Sequence, residues 1–248
     1  MHLGIQTITW STTDVDIPRM LQVIREFGYA GAEFAQAPES LGTPKVFLQM
    51  LDGLEFLGLA GGSLPERIRF VTEFEQVAAP LRRPYIYLDE WDEEAEELVG
   101  KCDVVFGIHP HMFKPIQTAK DAEDLLTRYA HFAERVRLLP DTSHLTIAGE
   151  NLVNVLKRNL GRIDAVHLKD WTPEFGRAYQ FYSRGFVGLG EGKVPLTDVL
   201  GLLRLKSFSG WLVAEQDAAE DPVESARKNM AWLQKNIRSV AEGATDGS

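Results

Sequence analysis

Along the chain, short apolar and β-branched runs alternate with longer stretches in which apolar positions recur every three to four residues. The short runs predict strands over 3–9 (LGIQTIT), 30–35 (AGAEFA), 59–64 (LAGGSL), 84–89 (PYIYLD), 103–109 (DVVFGIH), 136–141 (VRLLPD), 163–169 (IDAVHLK) and 210–215 (GWLVAE). The longer stretches predict helices over 16–27, 43–57, 65–79, 92–100, 119–135, 150–158, 195–206 and 222–238. Pro18, Pro44, Pro65, Pro195 and Pro222 stand near the helix starts, where a fixed φ and a missing N–H cost little. Strand–helix units in unbroken succession imply a parallel sheet, and eight of them close into a (β/α)8 TIM barrel. An open doubly wound sheet is the competing arrangement, but no glycine-rich phosphate loop follows the first strand.

Two segments depart from this rhythm. Residues 80–103 must hold both a strand and a helix, so the fourth unit is compressed. Residues 171–194 form the longest irregular stretch, and they follow a strand, which in a barrel places them on the catalytic rim. The 248 residues suit one barrel domain, read here as 1–239, with 240–248 (VAEGATDGS) as a frayed tail.

Composition narrows the function. One cysteine, Cys102, rules out an internal disulfide and points to a reducing, cytoplasmic setting. The start, MHLGIQTITW, lacks the basic and long apolar segments of a signal peptide, and no run approaches the roughly 18 apolar residues of a membrane span. With 36 acids against 26 bases the net charge is −10, which disfavours nucleic acid as a partner. A small-molecule substrate is expected, and a homo-oligomer is compatible with the sequence.

The ionisable residues are unevenly placed. His109 and His111 end the fifth strand; Asp141 ends the sixth, with His144 three residues on; His167 and Lys169 end the seventh; Glu215 ends the eighth. Each has an ordinary structural explanation taken singly: a hydrogen-bonded histidine, a helix-capping Asp141, a rim salt bridge from Lys169 to Asp170 or Glu191. Four consecutive strand ends bearing imidazole or carboxylate are harder to explain that way. Together they suit one divalent ion, Mn, Co or Zn more than Mg, which prefers an all-oxygen shell. His109 and His111 alternate onto one face, so either can be the fifth-strand ligand.

DTSH at 141–144, VHLKD at 166–170, GLGEG at 188–192 and GWLVAEQD at 210–217 resemble the xylose-isomerase-like barrel superfamily of sugar isomerases, epimerases and inosose dehydratases. HPHM at 109–112, with Gln117-Thr118, and Trp10 with the polar run to Asp14, resemble the inosose dehydratase branch in particular. The resemblance implies that Asp141, His167 and Glu215 are metal ligands, with His109 where sugar epimerases carry a glutamate. Where the dehydratase branch continues with Gly-Thr, this chain has Phe113-Lys114. The implied chemistry is proton removal beside the carbonyl of a keto-sugar or cyclitol, followed by dehydration or by isomerisation or epimerisation. Lys169 and His144 are the acid–base candidates, and Glu33, His111, Trp10 and Arg184 the candidates for substrate contact. A non-catalytic sugar-binding barrel is the alternative of a different class. An endonuclease IV-like nuclease is disfavoured, since the second and third predicted strands carry no histidine.

These assignments separate ligand from catalyst. Glu215→Gln should weaken metal binding, because a neutral amide is a poorer donor. Lys169→Met should retain the metal and lower turnover by about a hundredfold, the usual scale for an acid–base group. Metal analysis and steady-state kinetics on the two variants check this, and near-normal turnover in Lys169→Met would move the role to His144.

Overall fold

The computed structural model describes residues 1–14, 16–175 and 185–242. Eight strands lie parallel in one sheet: β1 (His2–Gln6), β2 (Gly31–Phe34), β3 (Glu55–Leu59), β4 (Tyr85–Leu88), β5 (Val105–Ile108), β6 (Val136–Leu138), β7 (Ala165–Leu168) and β10 (Trp211–Ala214). Two short strands, β8 (Asp170–Trp171) and β9 (Phe186–Val187), pair antiparallel as a separate ribbon at the base of the irregular segment. Neighbours run β6-β5-β4-β3-β2-β1-β10-β7, and the parallel bridges Leu138↔Ile163 and Asp141↔His167 join the two ends. The result is the expected (β/α)8 barrel. No helix among the described residues is long and apolar enough to cross a membrane.

The third unit differs from its sequence-based prediction. The helix expected over 43–57 spans Pro44–Leu51, and the strand expected over 59–64 is β3, four residues earlier. Asp52 and Gly53 take positive φ of 42° and 89°, a left-handed pair that ends the helix and turns the chain into the strand. The Asp-Gly signal is present in the sequence, but the apolar spacing runs straight through it. The helix expected over 119–135 likewise stops at Arg128 and gives way to a 3₁₀ turn, Ala130–Phe132. A short helix, Thr142–Ile147, was not anticipated; it begins directly behind Asp141. The last helix runs Pro222–Glu242, beyond the expected 238.

Apolar side chains sort into two layers. Between the strands and their helices lies the main cluster, where Phe34, Phe47, Phe56, Phe70 and Phe74 pack edge to face with centroids 4.9–6.2 Å apart. Each buried phenyl contributes about 1.5–3 kcal/mol. Inside the barrel, Leu57, Tyr85, Val105, Leu139, Ala165, Trp211 and Val213 make a second layer, the floor beneath the candidate site. Glycines let this floor close. A Cβ on Gly4 would lie 2.5 Å from the Leu57 side chain, and one on Gly58 would lie 2.6 Å from both the ring and the carbonyl oxygen of Tyr85.

Gly58→Ala should therefore destabilise the fold by about 1–3 kcal/mol, the usual cost of overpacking a filled interior. Urea unfolding should show a lowered midpoint at unchanged slope; a midpoint like that of the parent protein would show that β3 and β4 can move apart freely.

Candidate metal centre and active site

Asp141 shows how one side chain serves both fold and site. Its Oδ1 accepts the backbone N–H of His144 at 2.8 Å and so caps the helix Thr142–Ile147. Its Oδ2 is buried with no hydrogen-bond partner. Capping is thus real and leaves the second oxygen available. That oxygen lies 3.8 Å from Nε2 of His109 and 4.0 Å from Nε2 of His144. His109, Asp141 and His167 each present a ligand atom within 4.8 Å of the others, and all three are buried. Nδ1 of His167 faces Oε2 of Glu215 at 2.7 Å. Three of the four candidate ligands, His109, Asp141 and His167, thus form one cluster, and Glu215 adjoins it through His167. Between His109 and His111, it is His109 that joins the cluster. Both its ring nitrogens are buried without a partner, an orphaned donor set of the kind a metal satisfies.

Lys169 is fully buried, with Nζ 2.7 Å from Glu215 Oε1, 2.8 Å from Asp217 Oδ1 and 3.9 Å from Asp141 Oδ2. Its ion-pair partners are these acids rather than Asp170 or Glu191. Burial alone would lower its pKa, but Asp217, Glu215 and Asp141 outweigh burial and raise it, so the ammonium stays charged. His144 is the opposite case. Burial, then the Lys169 charge, hold it well below the usual imidazole range, and neither ring nitrogen has a hydrogen-bond partner. A fixed cation and a neutral imidazole thus border the same carboxylate. Burial pushes Asp141 up to about 7 even with Lys169 pulling the other way, and it pushes Asp217 up to about 6.

The proposed substrate contacts fare unevenly. His111 is half-buried, its ring 3.9 Å from that of His144 and its Nδ1 2.6 Å from the Met112 carbonyl oxygen. Trp10 belongs to the core, with its indole N–H unpartnered. Glu33 does not present a carboxylate to a sugar hydroxyl: it is fully buried, and both its oxygens are held by Gln6, Tyr85 and His167. Arg184 lies outside the described residues. Phe113 takes a φ of 66°, so the phenylalanine standing where the dehydratase branch has glycine keeps a left-handed backbone.

Sequence reasoning missed Tyr85, Tyr87, Asp217 and Phe186. Tyr87 lies against His109 with ring centroids 4.2 Å apart, and Tyr85 donates its hydroxyl to Glu33. Their i, i+2 spacing in YIYL was the available signal, since alternation turns both inward. Phe186 packs its ring 4.2 Å from Nζ of Lys169 and edge-on to His144, and it also lines a cavity of about 630 Å3 with Gln216, Glu220 and Ser225. A smaller cavity of about 180 Å3 is bordered by Arg82, Arg137 and Asp164 and reaches the underside of the floor at Tyr85 and Leu139.

A family model described as a xylose isomerase-like TIM barrel matches residues 86–236. The chain belongs to that family. It is similar to inosose dehydratase 2 of Bacillus cereus (strain ZK / E33L), at 29% identity over 211 residues, covering 78% of this chain and 70% of the relative. Its fold is that of L-ribulose 3-epimerase, with a TM-score of 0.73 at 14% identity over 100% of this chain and 98% of the other. It is also that of the IolI protein with its zinc atom, with a TM-score of 0.70 at 15% identity over 97% of this chain and 99% of the other. The curated relatives it matches are thus named inosose dehydratases, and its fold is shared with a sugar epimerase.

Asp170, next to Lys169, organises the rim. Its carboxylate accepts the backbone N–H groups of Trp171, Gly190, Gly192 and Val194 at 2.8–3.0 Å. The GLGEG segment is thereby wrapped around one buried acid, and a Cβ on Gly192 would lie 2.3 Å from Asp170 Oδ1. Asp170→Ala should strand those amides and cost about 3 kcal/mol or more, as each unmet buried donor costs about 1–3 kcal/mol. Hydrogen exchange at Gly190, Gly192 and Val194 should accelerate before the barrel strands do; unchanged protection there would contradict this role.

Proposed function

We propose that this chain is a metal-dependent enzyme that enolises a keto-sugar or cyclitol and then expels a β-hydroxyl, as an inosose dehydratase does. The supporting observation is the convergence of His109, Asp141 and His167, with orphaned donor atoms, beside Glu215 and a buried ammonium. Charge supports it as well: the acids Glu33, Asp141, Glu215 and Asp217 outnumber the one buried ammonium, Lys169, an excess that a dication offsets. The mixed imidazole–carboxylate set suits Mn, Co or Zn. Once bound, such an ion supplies a Lewis acid that stabilises negative charge on oxygens beside the reacting carbon.

The protein's own groups divide the proton work. His144, neutral and unpartnered, takes the proton from the carbon next to the carbonyl. Lys169, held charged, donates N–H to the developing enediolate oxygen or to the departing hydroxyl. Dehydration is favoured over 3-epimerisation because His109 stands on β5 where the two-glutamate epimerases carry a base. The remaining glutamate, Glu215, is already tied to His167 and Lys169. Isomerisation or epimerisation is the second outcome of the same enolisation.

An NMR time course in heavy water with a panel of inososes and ketoses tests this directly. Solvent deuterium should enter the α-carbon, with an unsaturated or diketo product following from an inosose; no exchange with any of them would end the proposal in favour of a sugar-binding barrel. Metal affinity should also depend on pH. Asp141, pushed up to about 7, is protonated below that value and must lose its proton to act as a ligand. Calorimetric affinity for Mn or Zn should fall by about tenfold or more per pH unit below 7; a flat profile would remove Asp141 from the ligand set.

A further inference from the structure

Glu33 stands on β2, which carries no other residue assigned a chemical role, yet it is among the most completely hydrogen-bonded side chains in the barrel. Gln6 and Glu33 face each other in the β1–β2 register. The Gln6 amide cannot turn over, because its Oε1 accepts the Ile8 backbone N–H at 2.9 Å. Its Nε2 must then donate to Glu33 Oε1, at 2.7 Å. The Tyr85 hydroxyl donates to Glu33 Oε2. His167 Nε2 meets the same Oε2 at 2.7 Å. A carboxylate already receiving two donors, fully buried, acts as an acceptor towards its third partner as well. His167 therefore carries a proton on Nε2, and Nδ1, 2.7 Å from Glu215 Oε2, is the nitrogen left facing the cluster of candidate ligands.

We infer that Glu33, held by Gln6 and Tyr85, is a positioning residue that fixes the ring plane and tautomer of His167 and aims the Nδ1 lone pair at the metal. The inference rests on the metal-centre reading above and deepens it. It moves Glu33 from substrate contact to metal affinity. Histidine ligands are commonly set in this way by a carboxylate on the far nitrogen, and loss of that partner costs about 10–100-fold in affinity. Here the device spans the barrel: the strand β2 carboxylate reaches across the interior to β7, braced by β1 and by Tyr85 on β4, which belongs to the apolar floor.

The test is metal affinity, measured by competition of Co2+ and Zn2+ with a chromophoric chelator, together with the Co2+ absorption spectrum. Wild type and Asp141→Asn are measured first: if wild type binds no more tightly than Asp141→Asn, the metal-centre reading itself has failed. Given wild-type binding, Glu33→Gln should weaken it by about 10–100-fold and alter the Co2+ spectrum. Tyr85→Phe, which removes one donor without changing shape or charge, should weaken it severalfold, and it carries the test if Glu33→Gln does not fold. Long-range 1H–15N NMR of zinc-loaded wild type should show His167 protonated at Nε2. Affinity within twofold of wild type in the folded variants, with an unchanged spectrum, overturns the inference. Unchanged affinity with a raised KM would return Glu33 to substrate contact.

Discussion

The parallel bridge between Asp141 and His167 joins the ends of β6 and β7, the only neighbouring barrel strands not paired in a regular ladder among the described residues. His167 donates its backbone N–H to the Pro140 carbonyl at 2.9 Å, which sets the two residues side by side. Barrel closure and the placing of these two candidate ligands are therefore one event. A slip of one residue along this seam would send His167 to the outer face, since strand side chains alternate. The short helix behind Asp141 holds the other end of the seam: Thr142 and Ser143 both donate their hydroxyls to the Lys169 carbonyl.

Around that seam the protein keeps an unusual amount of charge out of water. Burial opposes ionisation of Asp141, Glu215, His167 and Lys169 alike, and each is answered by a neighbour of opposite sign. Glu215 is drawn well below the usual carboxylate range by Lys169 and His167 despite its burial. His167 is raised well above the imidazole range because Glu33 and Glu215 outweigh burial. Such mutual dependence costs stability compared with an apolar interior of the same shape, and its persistence is explained by chemistry rather than folding. His144, like His109, has neither ring nitrogen hydrogen-bonded.

The rim is built by a different rule. Asp170 is one residue from Lys169 yet belongs to the loop rather than the centre, binding four backbone amides of the segment after β7. Alternation along the strand separates the two roles. Lys169 points into the barrel and Asp170 into the loop, so the VHLKD motif builds the charged centre and the wall above it within two consecutive residues.

How much of this could be read from the chain alone follows from the range of each signal. Barrel architecture, strand number and the gathering of polar residues at strand ends were legible, because they rest on local alternation and on where those residues recur. The third strand was misplaced because one apolar spacing ran through the Asp52-Gly53 turn, where two left-handed residues outweigh the helical pattern. The choice between His109 and His111 needed the backbone after β5. The partners of Lys169 and the work of Glu33 were beyond the sequence, since Glu33 lies 134 positions from His167 and Tyr85 lies 52 from Glu33. Sequence determined which polar residues stand at the C-terminal ends of the barrel strands. Tertiary structure decided what each one touches there, because hydrogen-bond partners across a closed sheet are set by register and shear, and neither is written in the order of residues along any one strand.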